Sequence, residues 1–133
     1  MDQRTRRPST SDANWADYQR RVASSEEYRL TGGGKEIWAD GVRVDPNGVT
    51  EVDAKFVTEP GSPSGLYEGT SPGFLLKDFD DEMARYGAII RDGSNPVTQL
   101  NIITNTQKAA DFLGDRARAI LGPDIDIKVT VQP

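Results

Sequence analysis

The stretch EIWADGVRVDPNGVTEVDAKFV, residues 36–57, decides the fold because it predicts two strands joined by one tight turn. Residues 45–48, DPNG, place Asp, Pro and Gly at the first, second and fourth positions of the turn, as a type I turn favours. Pairing the strands outward from this turn sets residue 45 opposite residue 48 and, further along, Asp40 opposite Asp53. Residues 36–57 are therefore predicted to form a β-hairpin.

The charges of this hairpin are unusual for a strand pair. Residues that face each other across two strands have Cβ atoms about 4.5–5.5 Å apart, so two opposed aspartates are destabilising unless something offsets them. Because side chains alternate along a strand, Lys55 shares the face of Asp53, whereas the apolar residues of segment 52–56 point to a core on the other face. Asp40, Asp53 and Lys55 therefore form a candidate cation site with a lysine beside it.

Asp45 is a rival for the first carboxylate, because it also precedes Asp53 and Lys55 in the sequence. It lies at the turn, about five residues or roughly 16 Å along the strand from Asp53. We therefore favour Asp40 over Asp45.

Composition limits the chemistry that this chain can perform. The 133 residues fit one domain, and the chain contains neither cysteine nor histidine. Disulfides, thiolate metal sites, cysteine nucleophiles and histidine bases are thus excluded. Carboxylates and lysines remain, and carboxylate oxygens are the ligands that Mg²⁺ prefers.

The net charge of −5 counts against a nucleic-acid partner, because phosphate binding is driven by basic surfaces. A cation bound to the acidic cluster would weaken that objection. The alternative that the charge favours is a non-catalytic domain whose acidic face binds a basic partner. No apolar run is long enough to span a membrane, and the polar start of the sequence predicts no signal peptide.

The rest of the chain predicts alternating helices and strands. Residues 1–11 are predicted to be a disordered linker and residues 12–133 the folded domain. The Pro- and Gly-rich stretch 58–71 predicts either a disordered excursion or a functional flap. The predicted elements are, in order, a short helix ending near residue 24, a strand at 27–31, the two hairpin strands, a helix over 75–90, a strand at 97–103, a helix capped by Asn105 or Thr106, and a strand at 125–131.

A helix, a three-stranded meander, a helix and a further strand, with Asp40 and the Asp53-Ala54-Lys55 motif on adjacent strands, resemble the PD-(D/E)xK nuclease fold. The likeness covers nearly all of residues 14–133 and makes the chain similar to restriction-endonuclease-fold toxin domains, the C-terminal nuclease tips of bacterial polymorphic toxins. The segments that carry it are YQRRV (18–22), WADGV (38–42), VDAKFV (52–57), EMARYG (82–87) and IITN (102–105).

The resemblance implies an α/β fold, with a restriction-endonuclease-like αβββαβ core, an extra C-terminal helix and strand, and a mixed sheet flanked by helices. It also implies a domain secreted or injected as part of a larger toxin, acting in the cytoplasm of a target cell and blocked in the producer by a cognate immunity protein. DNA is the favoured substrate, and RNA cleaved at the same site is the nearest alternative.

The resemblance also implies roles for individual residues. Asp40, Asp53 and the backbone carbonyl of Ala54 would bind Mg²⁺ or Mn²⁺, and Lys55 would orient the attacking water and stabilise charge on the phosphate. Glu36 and Glu27 are candidate outer carboxylates. Two positions depart from the family pattern, because Asp53 stands where glutamate is frequent and Ala39 stands where proline usually precedes the first aspartate.

Overall fold

A computed structural model of the chain describes residues 5–6, 14–24, 26–46, 48–57, 68, 76–93 and 96–133. The helices are α1 (Asn14–Val22), α2 (Lys77–Arg91) and α3 (Gln107–Leu121). The strands are β1 (Thr5–Arg6), β2 (Glu27–Gly32), β3 (Lys35–Ala39), β4 (Gly41–Asp45), β5 (Gly48–Lys55), β6 (Val97–Thr104) and β7 (Asp126–Val131).

The strands form two sheets. One has the order β4-β5-β6-β7, with β4 antiparallel to β5 and the other neighbours parallel, so it is a mixed sheet. The other is antiparallel, with the order β1-β2-β3. The fold class predicted from the sequence, an α/β fold with a mixed sheet flanked by helices, is confirmed.

The hairpin made by β4 and β5 has the predicted register. Asp45 pairs with Gly48 and Gly41 pairs with Val52, as counting outward from the turn requires. The turn residue at position 47 lies outside the described residues. The register matters for the site because it places the residues after Val52 next to the residues that precede Gly41.

The prediction of one long strand before the turn is wrong. The chain bends at Asp40, so that β3 pairs with β2 in the antiparallel sheet whereas β4 pairs with β5 in the mixed sheet. Gly41 follows the bend and lies against the end of α1, where a Cβ atom would be 3.3 Å from the backbone of Ala23. Asp40 therefore belongs to neither strand register.

Helices cover both faces of the mixed sheet. The larger core joins α2 and α3 to residues of β5, β6 and the antiparallel sheet. The smaller core lies under α1 and contains Tyr18, Val22, Val52 and Ile103, with Phe56 packed against it. The apolar face of β5 thus points into a core, as predicted, and that core lies against α1. The charged face of β5 is turned toward α2.

The end of β5 is held by the chain that follows β6. The Asn105 side chain accepts a hydrogen bond from the Val57 N–H at 2.7 Å and donates one to the Val57 carbonyl at 3.0 Å. The hydroxyl of Thr106 caps α3 by accepting from the Ala109 N–H at 3.1 Å. The two hydrogen bonds of Asn105 hold the chain at Val57, two residues after Lys55.

Most of the predicted linker, residues 1–11, lies outside the described residues, but Thr5 and Arg6 form β1 and pair with β2. No pattern in residues 1–11 predicts this pairing. The predicted flap at 58–71 also lies outside the described residues, apart from Glu68, whose carboxylate accepts from the Thr106 hydroxyl at 2.9 Å. None of the helices in the described part of the chain has the length and apolar run that a membrane crossing requires.

Gly48 supports a first prediction, because its φ of 140° lies in a region that side chains disfavour. A Cβ at this position would also lie 2.6 Å from Oγ1 of Thr98. We expect Gly48→Ala to lower the free energy of unfolding by about 1–3 kcal/mol, measured by urea denaturation. Gly93→Ala is the matched control, since a Cβ there meets no atom within 4 Å. Equal stability of the two variants would contradict the strain assigned to Gly48.

Candidate active site

Strand β5 builds one side of the candidate site. Glu51, Asp53 and Lys55 are alternate residues of this strand, so their side chains share one face. The parallel pairing with β6 continues in register to the pair Lys55 and Thr104. Asp53 is 1% exposed and Glu51 is fully buried, so the strand carries two acidic groups into the protein interior.

Asp40 joins this group from the bend between β3 and β4. Its Oδ2 accepts a hydrogen bond from the Ala54 N–H at 2.7 Å. The carboxyls of Asp40 and Asp53 also lie close enough to share a hydrogen bond. The structure therefore brings together Asp40, Asp53, Ala54 and Lys55, the four residues that the sequence analysis placed in one site.

Lys55 is held between two carboxylates. Its Nζ lies 2.9 Å from Oδ1 of Asp53 and 2.7 Å from Oε1 of Glu82 on α2. The side chains of Lys55 and Asp53 are only 11% and 2% exposed, whereas that of Glu82 is 28% exposed. The ion pair of Lys55 and Asp53 is thus mostly shielded from water. Electrostatic attraction is stronger in such a shielded position than at the surface.

Several oxygens of the site have no hydrogen-bond partner among the described residues. They are both carboxylate oxygens of Glu51, Oδ2 of Asp53, the Thr104 hydroxyl, and Oε1 of Glu82, whose contact with Lys55 is an ion pair. Buried polar groups are nearly always satisfied in folded proteins, and an unsatisfied one costs free energy. The acidic side of the site therefore has acceptors that the described residues do not fill.

The pKa of Asp53 is shifted in the opposite direction from the pKa values of its acidic neighbours. Burial raises the pKa of Asp40, Glu51 and Glu82 well above the usual carboxyl range, and the negative charge of Asp53 raises each of these pKa values further. Burial also acts to raise the pKa of Asp53, but the Lys55 ammonium and hydrogen bonds from its neighbours lower it below the usual value. Asp53 is therefore the carboxylate that keeps its charge most firmly.

The structure places the two candidate outer carboxylates elsewhere. Glu36 is exposed on β3, and its Oε2 pairs with Arg29 at 2.7 Å. Glu27 pairs with Arg6 in the strand register of the antiparallel sheet. The charged groups that act on the pKa values of Asp40 and Asp53 are each other, Lys55 and Glu82, so neither Glu36 nor Glu27 is among them.

Two acidic residues of the site were not among the predicted ones. Strand alternation indicates that Glu51 belongs to the site, because it precedes Asp53 by two residues and its side chain therefore lies on the same face. The indication for Glu82 is weaker, since it lies on α2 four residues before the buried Tyr86, and only the packing of α2 over β5 brings it to Lys55. The rival Asp45 is exposed at the turn, opposite Gly48.

The donor set fits a hard divalent cation. Four carboxyl groups, of which Asp53 and Glu82 contact the Lys55 ammonium, belong to this site. Oδ2 of Asp53 is a buried oxygen without a hydrogen-bond partner among the described residues. Oxygen ligands of this kind suit Mg²⁺ or Mn²⁺. Among the described residues no three acidic side chains are already arranged to bind one ion, so direct coordination would rest on Asp40 and Asp53.

Comparison with known proteins identifies the family. Comparisons with curated proteins and with solved structures return no match. The sequence profile of a family described as restriction endonuclease fold toxin 2 matches residues 14–120, which is more than half of the chain and includes every residue of the candidate site. The chain therefore belongs to the restriction endonuclease fold toxin 2 family.

Proposed function

We propose that this domain is a metal-dependent endonuclease that cleaves DNA as the toxic part of a bacterial polymorphic toxin. The observation that carries the proposal is the buried group formed by Asp40, Asp53 and Lys55, in which the ammonium contacts Asp53 at 2.9 Å. Membership of a family of restriction endonuclease fold toxins supports the same activity.

Asp40 and Asp53 would hold one Mg²⁺ or Mn²⁺, with the carbonyl oxygen of Ala54 as a further ligand. When bound, the cation would offset negative charge on the scissile phosphate and lower the pKa of a water molecule. Asp53 suits this role because its lowered pKa keeps it ionised. The N–H of Ala54 orients Asp40 by its 2.7 Å hydrogen bond.

Lys55 would act on the substrate. Its Nζ donates a hydrogen bond to Oδ1 of Asp53 at 2.9 Å and forms an ion pair with Oε1 of Glu82 at 2.7 Å. The charge of the ammonium would orient the attacking water and stabilise the charge that grows on the phosphate. The contacts with Asp53 and Glu82 fix the position of the ammonium.

The buried position of the acidic groups argues against a non-catalytic acidic interaction domain. Such a domain presents its carboxylates to a basic partner at the surface. Here Glu51 is fully buried and Asp53 is 1% exposed, so neither side chain contributes to an exposed acidic face.

The biological setting follows from the toxin family. We propose that the domain is delivered to a target cell as part of a longer polypeptide, acts in the target-cell cytoplasm and is blocked in the producer by a cognate immunity protein. A ribonuclease that uses the same residues is the second candidate, because the site chemistry acts on a phosphodiester and does not read the sugar.

The proposal is tested by incubating the domain with plasmid DNA and with a defined RNA, each in Mg²⁺ and in EDTA. We expect cleavage of DNA in Mg²⁺ and none in EDTA, with Lys55→Ala inactive on both substrates. Cleavage of RNA alone would replace DNA by RNA as the substrate. Cleavage that persists in EDTA or in Lys55→Ala would overturn the mechanism.

A further inference from the structure

Glu51 has the least satisfied side chain of the site. It is fully buried, and neither of its carboxylate oxygens has a hydrogen-bond partner among the described residues. Placing a carboxyl group in a dry interior without a donor is costly, and folded proteins avoid it unless something else compensates. The proposed roles of Asp40, Asp53 and Lys55 do not explain why this residue is acidic.

The position of Glu51 joins it to the cation site. It precedes Asp53 by two residues on β5, so the two side chains lie on the same face. Glu82 reaches that face from α2 and acts electrostatically on Glu51, as does Asp53. The side chain of Glu51 is thus directed toward the group that would hold the ion.

Lys55 does not neutralise Glu51. Its Nζ is engaged by Asp53 at 2.9 Å and by Glu82 at 2.7 Å. With Asp40 and Glu51 included, the described part of the site has four carboxyl groups and the one ammonium of Lys55. The site thus has more carboxyl groups than positive charges, and both oxygens of Glu51 lack a hydrogen-bond donor among the described residues. A divalent cation with its bound water would supply both the charge and the donors.

We infer that Glu51 is a positioning residue for the divalent cation, which it stabilises through its charge and by accepting hydrogen bonds from the water that the ion carries. The inference rests on the proposed metal-dependent function. It assigns Glu51 an outer role because the described residues contain no ready group of three acidic ligands. Mg²⁺ and Mn²⁺ suit such an arrangement, since Mg²⁺ in particular keeps several of its waters.

The test measures Mn²⁺ binding to the whole domain by isothermal titration calorimetry. Outer partners of metal ligands typically contribute about 10–100-fold to affinity, so we expect Glu51→Gln to bind Mn²⁺ weaker by that factor. The melting temperature in EDTA should stay near that of the wild type, because glutamine has the same size. Glu26→Gln is the matched control at an exposed position, and it should leave the affinity unchanged.

Glu51→Met provides a second variant if glutamine prevents folding. An apolar side chain of similar size suits the buried position, and it should also lose Mn²⁺ affinity. Equal Mn²⁺ affinity of the wild type and a folded Glu51 variant would overturn the role of Glu51 alone. A wild-type domain that binds no Mn²⁺ would overturn the cation site itself, so the two failures are distinguishable.

Discussion

Replacement of Lys55 by methionine is expected to abolish nucleic-acid cleavage and to destabilise the domain. Loss of a group that stabilises charge in the transition state typically lowers kcat by about 10²–10³-fold. The same change leaves Asp53 and Glu82 without the ammonium that contacts both. Removing one partner of a buried ion pair costs about 3–5 kcal/mol, and we expect a loss of that order in urea denaturation.

The two effects of Lys55→Met are separable. Adding Glu82→Gln removes one of the charges that Lys55 compensates, so the double variant should regain part of the lost stability without regaining activity. Lys77→Met is the matched control, because Lys77 pairs with Asp81 on the exposed side of α2. Retention of wild-type cleavage by a folded Lys55→Met variant would remove Lys55 from the mechanism.

Replacement of Asp40 by asparagine is expected to abolish cleavage without unfolding the domain. Asparagine can still accept the hydrogen bond that Ala54 N–H donates to Asp40 at 2.7 Å, so the stability should change by no more than about 1 kcal/mol. The negative charge beside Asp53 is lost, and we expect kcat to fall by at least about 10²-fold. Initial cleavage rates in Mg²⁺ measure this loss.

Asp45→Asn is the control for Asp40→Asn, because Asp45 was the rival candidate from the sequence and lies exposed at the turn. It should cleave at the wild-type rate. If Asp45→Asn were inactive and Asp40→Asn active, the first carboxylate would have been assigned to the wrong residue.

The hairpin was predictable because its determinants are local. A turn with Asp45, Pro46 and Gly48 sets the register, and a register places every later pair of residues. Strand alternation then assigned Asp53 and Lys55 to one face and the apolar residues to the other. These two rules predicted that Asp40 lies near Asp53, although the paired register itself ends at Gly41 and Val52.

The break in the strand at Asp40 was not predictable, because it depends on contacts between distant segments. Residues 35–45 have a composition that suits one continuous strand. The chain nevertheless divides at Asp40, and β3 leaves to pair with β2. The close approach of Gly41 to Ala23 of the α1 end is a tertiary contact that no local pattern records.

The packing of α2 over the charged face of β5 could not be predicted from the sequence either. The spacing of Phe79, Met83 and Tyr86 predicts a buried stripe but not the strand face that it covers. Only that packing turns Lys55 from an exposed residue into one held between Asp53 and Glu82. Glu51 and Glu82, the acidic members of the site that were not among the predicted catalytic or metal-binding residues, depend on it.

The stability of the domain as a function of Mg²⁺ concentration tests the cation site most directly. A ligand that binds only the folded state raises its stability by mass action, by about 2.7 kcal/mol at a concentration 100 times the Kd. We predict that the melting temperature of the wild type rises with Mg²⁺ and that the melting temperature of Asp53→Asn does not. A wild-type melting temperature that is unaffected by Mg²⁺, together with cleavage in EDTA, would contradict a metal-dependent nuclease site at Asp40 and Asp53.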